Sequence, residues 1–385
     1  MKELKIFFIC IYYFFSPISI LFAQRIIYPG DIPTQKIRIV LEQSMGGIVS
    51  ERFSEISYIP LITDYKDRID YVHNTSYLDD RMGIVDMAKG NFYIFSLKGE
   101  LIQKISKIEG YRPPEAKLFH ASKAEKENFI VYTQDMTSTV DKAGNLVDTT
   151  FSIKNKPYNM TVKLGPNNFY YANGFGTENS EDKYALKMND STLIRYEIRD
   201  TVHFGMGTGF GINKASRNKA FATFYNHYEI FELVPEGIHK IYDVVFPMKN
   251  SIDSTYYTNK EYKDPFSYFG HNTDIVAGIG NIMQHADYLI IQVKKGYDPL
   301  WLAYNLKTRE VIDINKILPD KSNDFLNFMD IAQLFSDGEY LYSFIYPNDI
   351  RAARNKSMDE KHTMRQEYAE LEKYNNPIMV RFKLR

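Results

Sequence analysis

Residues 82–106 (MGIVDMAKGNFYIFSLKGELIQKIS) restrict the possible folds of this chain more than any other stretch. β-Branched and aromatic residues occur there in short runs. The segments 89–91 (KGN) and 98–100 (KGE) between these runs have the composition of tight turns. The pattern predicts three short strands joined by turns. Because such a ribbon cannot bury both of its faces alone, it requires similar ribbons packed against it.

The same arrangement of strands and turns recurs along the chain and predicts an all-β fold. A composition of 30 Tyr and 26 Phe against one Trp also favours sheet over a helical bundle. Six units can be delimited, at residues 70–106, 116–152, 158–200, 207–246, 274–317 and 324–385. Six sheets that cover one another's faces and close into a ring form a six-bladed β-propeller, which is the fold we predict.

Residues 53–63 (FSEISYIPLIT) predict one strand that belongs to none of the six units. We expect residues 56–61 to join the blade that Ile378–Leu384 completes, so that the two ends of the domain close the ring. The predicted organisation is a signal peptide at 1–23, an irregular lead at 24–52 and a single propeller domain at 53–385.

One helix is predicted in the insertion 349–376 of the last blade. Ser357 and Glu360 have the spacing of a capping box, and Met364, Tyr368 and Leu371 form one apolar stripe. Because this stripe is narrow, we expect a short helix on the propeller surface with a charged face in solvent. A helix that docks a partner is the alternative.

The N-terminus has the order of residues found in secretory signal peptides. Lys2 and Lys5 precede an apolar run over 6–22, and Ala23 follows it. We expect cleavage after Ala23, no membrane span afterwards, and export to the periplasm, the outer-membrane surface or the extracellular space. An uncleaved anchor is the alternative. Cys10 is the only cysteine, so the mature protein would contain no thiol and no disulfide.

The charge of the chain is balanced, with 47 Lys and Arg against 48 Asp and Glu. No whole-molecule field attracts nucleic acid, and we expect a monomer without a nucleic-acid partner. The eight histidines are scattered, and residues 205–211 (GMGTGFG) lack the glycine spacing of a nucleotide-binding loop. We therefore expect no metal and no cofactor.

Several segments together are typical of one protein family. They are the opening strand ISYIPLIT, the blade NFYIFSLKGELIQKI, the stretch ASRNKAFATFYNHYEIFEL and the closing NNPIMVRFKLR. In these segments and their order the chain resembles the secreted six-bladed β-propeller family of Bacteroides-type bacteria, which is similar to TolB-like and NHL-type propellers. The resemblance covers residues 53–385 and implies the fold and export, without a particular activity.

The first blade of that family is commonly followed by a Gly-x-Gly-Pro-Gly-Glu pattern. Gly110, Pro113 and Glu115 match it here, whereas Arg112 and Pro114 replace two glycines. Because proline fixes φ and excludes left-handed conformations, we expect this loop to be stiffer or differently shaped than in the family.

Candidate ligand-binding residues are those expected at connections between strands or blades, where propellers form concave sites. Aromatic rings with a few Arg, Glu and Asn groups suit a sugar or a peptide, although for each aromatic residue taken separately a place in the core between stacked sheets is favoured. The candidates are Tyr111, Arg112, Glu115, Tyr171, Asn173, His227, Tyr228, His271 and Trp301.

The sequence contains no recognisable catalytic motif, and this favours an exported binding module for a carbohydrate, peptide or protein partner. Two alternatives stay open. A glycan hydrolase or lyase could gather carboxylates from different blades in the central channel, and a structural envelope component would bind no ligand. The enzyme question is therefore left undecided by the sequence, with a non-enzyme preferred.

A further pattern is Asp followed by Ser or Thr, which resembles the O-glycosylation sites of exported proteins in this bacterial group. The same dipeptides are also ordinary turn chemistry. The possible acceptors are Thr149, Ser191, Thr201 and Ser254.

Overall fold

Six sheets of four or five strands form the molecule and confirm the predicted six-bladed β-propeller. Among the residues that the structure describes, no helix is both long and apolar enough to cross a membrane. The computed structural model describes residues 25–106, 121–125, 127–133, 136–151, 160–171, 184–197, 211–216, 218–224, 227–253, 265–296, 298–330 and 334–385.

In blades 1 to 3 four consecutive strands follow one another across the sheet in chain order. The segment 82–106 supplies the last three strands of blade 1, as its pattern predicts. The strands are Asn74–Leu78, Arg81–Asp86, Asn91–Ser96 and Leu101–Ile105 in blade 1; Ala121–Glu125, Asn128–Tyr132, Met136–Asp141 and Leu146–Phe151 in blade 2; and Met160–Leu164, Asn167–Tyr171, Tyr184–Met188 and Ser191–Glu197 in blade 3.

Blades 4 and 5 have the same plan, whereas blade 6 takes its outer strand from the beginning of the domain. The strands are Gly211–Ser216, Lys219–Thr223, Glu229–Val234 and Gly237–Val245 in blade 4; Val276–His285, Tyr288–Lys295, Asp298–Asn305 and Val311–Leu318 in blade 5; and Phe335–Ser336, Leu341–Ile345, Ile378–Leu384 and Phe53–Pro60 in blade 6. The first strands of neighbouring blades contact each other, so they are the innermost strands of the ring.

The ring closes where Phe53–Pro60 pairs antiparallel with Ile378–Leu384. Tyr58 lies opposite Val380, and the ring of Phe53 stacks on that of Phe382 with 4.7 Å between centroids. This pairing confirms the predicted closure. Its apolar residues join a buried cluster between blades 5 and 6, and comparable clusters lie between blades 1 and 2, 3 and 4, 4 and 5, and 6 and 1.

The lead predicted to be irregular is instead organised along the outer edges of three blades. Arg25–Ile27 pairs antiparallel with the outer strand of blade 3, and Thr34–Arg38 and Met45–Ile48 pair parallel with the outer strands of blades 4 and 5. We call residues 25–48 the outer belt. The prediction was wrong because these strands are three to five residues long and pair with distant residues, so no local periodicity marks them.

The helix of the last blade begins eleven residues earlier than the predicted capping box at Ser357 places it, and runs over Pro347–Asp359. Pro347 occupies its first turn, and the carboxylate of Asp349 accepts a hydrogen bond from the backbone N–H of Tyr346 at 2.8 Å. Ser357 lies buried in the last turn instead of at the N-terminus. The predicted stripe residues Tyr368 and Leu371 are buried in later, shorter elements that pack on blades 5 and 6.

The remaining helical elements are short and lie in connections. The α-helical ones are Val49–Arg52, Pro265–His271 and Gln366–Ala369, and the 3-10 turns are Leu41–Gln43, Tyr65–Asp67, Met248–Asn250, Lys321–Asn323 and Glu370–Lys373.

A buried carboxylate fixes the insertion to the rest of blade 6. Asp324 is almost fully buried and accepts hydrogen bonds from His362 Nε2 at 2.5 Å and from Arg365 Nε at 2.7 Å. Burial acts to raise the pKa of Asp324, but the hydrogen bonds from Arg365 and His362 outweigh it and hold the pKa below its ordinary value. The charged form of Asp324 therefore stabilises the folded state.

We predict that Gly99→Ala destabilises the protein more than Gly338→Ala does. Both glycines have positive φ, +85° and +97°, but a Cβ at Gly99 would overlap the carbonyl oxygen of Pro60 in the closing strand, whereas Gly338 has open space. We expect a loss of about 3 kcal/mol for Gly99→Ala and about 1 kcal/mol for Gly338→Ala. Chemical denaturation measures both, and equal losses would contradict the close approach at Gly99.

Asp324→Asn should lower the free energy of unfolding by about 2 kcal/mol at neutral pH. The pKa of Asp324 is lower in the folded protein than in the unfolded chain, where it is about 4. The stabilisation that the charged carboxylate supplies is therefore complete above pH values of about 4, and it is lost as the pH falls through the pKa of the folded protein. The difference between wild type and Asp324→Asn should therefore shrink in acid. Denaturation at pH 7 and pH 3 tests this, with the exposed Asp359→Asn as control; a pH-independent difference would contradict it.

Candidate functional site

The two faces of the ring are built differently. The first and second strands, and the third and fourth, are joined on one face by short turns such as 79–80 and 189–190. Connections between the second and third strands and between successive blades lie on the opposite face, which we call the connection face. It carries residues 246–253 and 265–275, which are the described parts of one long connection, and the segment 346–377, with their helices. Propellers commonly place ligand sites on loops of this kind.

Three of the predicted site residues lie on the connection face. His227 and Tyr228 lie between the second and third strands of blade 4, and His271 ends the helix Pro265–His271, with its side chain exposed. Tyr111, Arg112, Glu115 and Asn173 lie outside the described residues, as do the possible acceptors Thr201 and Ser254.

The group around His227 connects two blades. His227 Nδ1 lies 3.6 Å from a carboxylate oxygen of Glu229. Burial acts to raise the pKa of Glu229, but the interaction with the nearby His227 ring and hydrogen bonds from backbone N–H groups outweigh it and lower that pKa. The hydroxyl of Tyr228 donates to the carbonyl of Val276 at 2.7 Å and accepts from the N–H of Ile252 at 2.9 Å. Tyr228 thus joins the segment 246–253 to the first strand of blade 5.

Two of the predicted site residues are core residues. Trp301 is fully buried in the cluster between blades 5 and 6. Tyr171 is also buried, its ring stacks on Phe224 and its hydroxyl donates to the carbonyl of Thr223 at 3.0 Å. These contacts fix the blades to one another, and neither side chain is accessible to a ligand on the connection face.

A set of exposed apolar side chains lies where blade 6 leads into blade 1. Tyr65 is 79% and Tyr71 41% exposed in the connection 61–73, which also exposes Ile62, and Met87 is exposed in the adjacent connection of blade 1. We call these four residues the blade 6–1 platform. The ring of Tyr71 lies parallel to that of Tyr346, at 2° and with centroids 6.4 Å apart.

Asn376 holds the two ends of the connection 61–73 in place. Its buried side chain accepts a hydrogen bond from the N–H of Ile69 through Oδ1 at 2.8 Å. Its Nδ2 donates to the carbonyl of Leu61 and to Oγ1 of Thr63, both at 2.8 Å. One side chain therefore satisfies three groups of an otherwise irregular segment and restricts its conformation.

Asp86 fixes the connection from the blade 1 side. Its fully buried carboxylate accepts from the N–H groups of Asp70 at 3.0 Å, Ala88 at 3.1 Å and Lys89 at 3.3 Å. These bonds link the connection 61–73 to the one that carries Met87. The platform is consequently held on a framework of hydrogen bonds before any ligand arrives.

Charged groups surround Asp70 beside the platform. Its carboxylate accepts two hydrogen bonds from Arg68, at 2.8 and 3.1 Å, and lies 3.2 Å from Nζ of Lys89. Burial acts to raise the pKa of Asp70, but the hydrogen bonds from Arg68 and Lys89 outweigh it and lower the pKa. An exposed ring beside paired charges can pack on an apolar ligand face and orient its polar groups.

The sequence patterns missed the platform because Tyr65 and Tyr71 lie in a connection that has no motif. The one feature of the sequence that could have indicated these exposed rings is the presence of two tyrosines in a segment too polar and irregular to form a strand. Across the described parts of the chain, no group of three or more His, Cys, Asp or Glu side chains is arranged to hold a metal ion.

The fold defines a six-bladed propeller, and sequence comparison assigns it to one family. The family model DUF5128, described as "6-bladed beta-propeller", matches residues 34–343. The chain therefore belongs to this family. A search of curated proteins found no sequence match.

Solved structures that are similar to this chain come from several bacteria. A "Putative exported protein" from Bacteroides fragilis superposes with a TM-score of 0.64 at 14% identity, covering 91% of this chain and 100% of that one. A member of the duf4221 family from Bacteroides vulgatus gives 0.47 at 10% identity, covering 87% and 98%. Virginiamycin B lyase from Staphylococcus aureus gives 0.36 at 13% identity, covering 75% and 80%. At these identities the likeness concerns the fold alone.

We predict that Asn376→Ala destabilises the protein by about 2 kcal/mol, since it leaves buried backbone groups of Leu61 and Ile69 without their partner. Hydrogen exchange at the Ile69 amide should accelerate selectively. Lys373→Ala, on the exposed surface of the same insertion, serves as control. Unchanged exchange at Ile69 would show that Asn376 does not hold the connection.

Proposed function

We propose that this protein is an exported binding module that recognises a carbohydrate through the blade 6–1 platform. The observation that carries the proposal is the exposed ring of Tyr71, which follows Asp70 in a connection whose backbone is hydrogen-bonded by Asn376 at Ile69 and by Asp86 at Asp70, with Arg68 bonded to the Asp70 carboxylate. Pyranose rings pack their apolar faces on aromatic side chains, and carboxylates and guanidinium groups bond their hydroxyls. The platform offers both kinds of group on one surface.

Export is part of the proposal. Lys2 and Lys5, the apolar run 6–22 and Ala23 have the order of a cleavable signal peptide. The first strand of the outer belt begins at Arg25, so cleavage after Ala23 would leave the whole belt in the mature protein. Similarity to a Bacteroides protein described as exported agrees with this assignment.

A hydrolase or lyase acting at the platform is less well supported. A general acid requires a carboxyl group whose pKa is raised towards neutrality. The carboxylate of Asp86 accepts hydrogen bonds from three backbone N–H groups, and the pKa of Asp70 is lowered by its hydrogen bonds with Arg68 and Lys89. We therefore assign Asp86 to holding the connection 61–73 and Asp70 to orienting a ligand beside the platform, and we place no catalytic step on either.

Binding to a glycan panel tests this function, with Tyr71→Ala as the main variant. Loss of the ring should weaken binding by about 1 kcal/mol, or about fivefold. Met248→Ala changes a side chain that is 90% exposed in another sector, and should leave affinity unchanged. The ligand should also raise the melting temperature of wild type more than that of Tyr71→Ala.

The alternatives give different results in the same assay. Turnover of a bound glycan would establish an enzyme. A panel without any ligand-dependent rise in melting temperature would favour a structural envelope component. Glycan binding that Tyr71→Ala does not weaken would place the site elsewhere than on the platform.

A further inference from the structure

The outer belt leaves the edge of blade 2 without a strand among the described residues. Belt strands cover the outer edges of blades 3, 4 and 5, and Ile62 forms a parallel bridge to Glu100 beside the outer strand of blade 1. Within the described ranges, the outer strand of blade 2, Leu146–Phe151, is paired with Met136–Asp141, and no described segment pairs with its other edge.

Two apolar side chains are exposed at the start of this strand, whereas Asp148, Thr149 and Thr150 further along it are polar. Leu146 is 47% and Val147 58% exposed. The outer strand of blade 6, in contrast, carries polar Ser54 and Glu55 at exposed positions. Proteins normally protect open sheet edges with charge, a bulge or a covering segment. In blade 2 the pairing register between the third and fourth strands shifts next to Leu146 but is regular from Asp148 to Phe151. The second half of the outer strand can therefore pair with a further strand.

The covered edge of blade 4 shows what kind of segment would fit. There Lys36, Ile37 and Arg38 of the belt lie opposite Asp243, Val244 and Val245. Ile37 is fully buried and so anchors the segment. Blade 2 presents the same order of an acidic residue followed by two β-branched residues, Asp148-Thr149-Thr150, in a strand of the same position and direction.

We propose that the outer strand of blade 2 binds an extended segment of a partner polypeptide by strand addition. The segment would resemble the belt, with a basic residue opposite Asp148 and an aliphatic residue next to it, as Lys36 and Ile37 are placed on blade 4. Main-chain hydrogen bonds supply the general affinity, and the charge pair and the apolar contacts with Leu146 and Val147 set the preference. This interaction is independent of the platform and of the carbohydrate proposal.

A peptide of residues 32–40 (IPTQKIRIV) is a direct probe of this edge, because it contains the belt strand of blade 4. Hydrogen exchange of the whole purified protein, with and without peptide, should show new protection at residues 148–151. Asp148→Lys and a peptide carrying Lys36→Glu should each weaken binding about fivefold, since like charges then face each other. Combining the two changes should restore binding. The melting temperature of Asp148→Lys provides the folding control.

Each contrary result overturns the proposal. Absence of protection at 148–151 at millimolar peptide would show that the edge accepts no such strand. If Asp148→Lys and the peptide with Lys36→Glu give the same protection as the unchanged pair, the proposed need for a basic residue opposite Asp148 is wrong. Self-association that Asp148→Lys abolishes would make the occupant a second copy of this chain, and an intact mass showing Thr149 fully glycosylated would mean that the edge carries a glycan instead.

Discussion

The antiparallel pairing of Phe53–Pro60 with Ile378–Leu384 is the interaction on which the rest of the structure depends. Each blade is covered on both faces only by its neighbours, so an open array would expose two apolar sheet faces at its ends. The closing pair prevents this exposure. Phe53 packs on both Phe328 and Phe382, which joins the beginning and the end of the domain to the core between blades 5 and 6.

The closing pair also determines where the platform lies. Asn376 immediately precedes one closing strand, and Leu61 immediately follows the other. Because the strands are bonded together, Asn376 is brought to Leu61, Thr63 and Ile69 although more than three hundred residues separate them. The rigidity of the candidate site is thus a result of ring closure, and not of local propensity in an irregular segment.

Local patterning was sufficient to predict the blades, because blades 1 to 5 are each a consecutive set of strands with alternating or continuous apolar residues and turn residues between them. It also identified the unpaired strand at 53–63, since a surplus strand in a ring has a limited number of partners. It failed for the outer belt, where Ile37 alone anchors a strand whose partner is two hundred residues away. It placed the insertion helix too late because Ser357 fits a capping box, while Pro347 and Asp349 form the actual start.

Residue type alone could not distinguish aromatic side chains that are exposed in a connection from aromatic side chains that are buried in the core. Trp301 and Tyr171 are buried between blades, whereas Tyr71, in a connection, is exposed.

The outer belt imposes an order of events on folding. Its strands precede residue 50, but their partners lie between residues 191 and 318, and the closing strand waits for residues 378–384. A chain that emerges N-terminus first, from a ribosome or a translocation channel, therefore carries its first strands unpaired until the later blades have followed. Contacts of such long sequence separation form slowly. Wrapping the earliest residues around the latest blades thus couples completion of the fold to completion of the chain's passage.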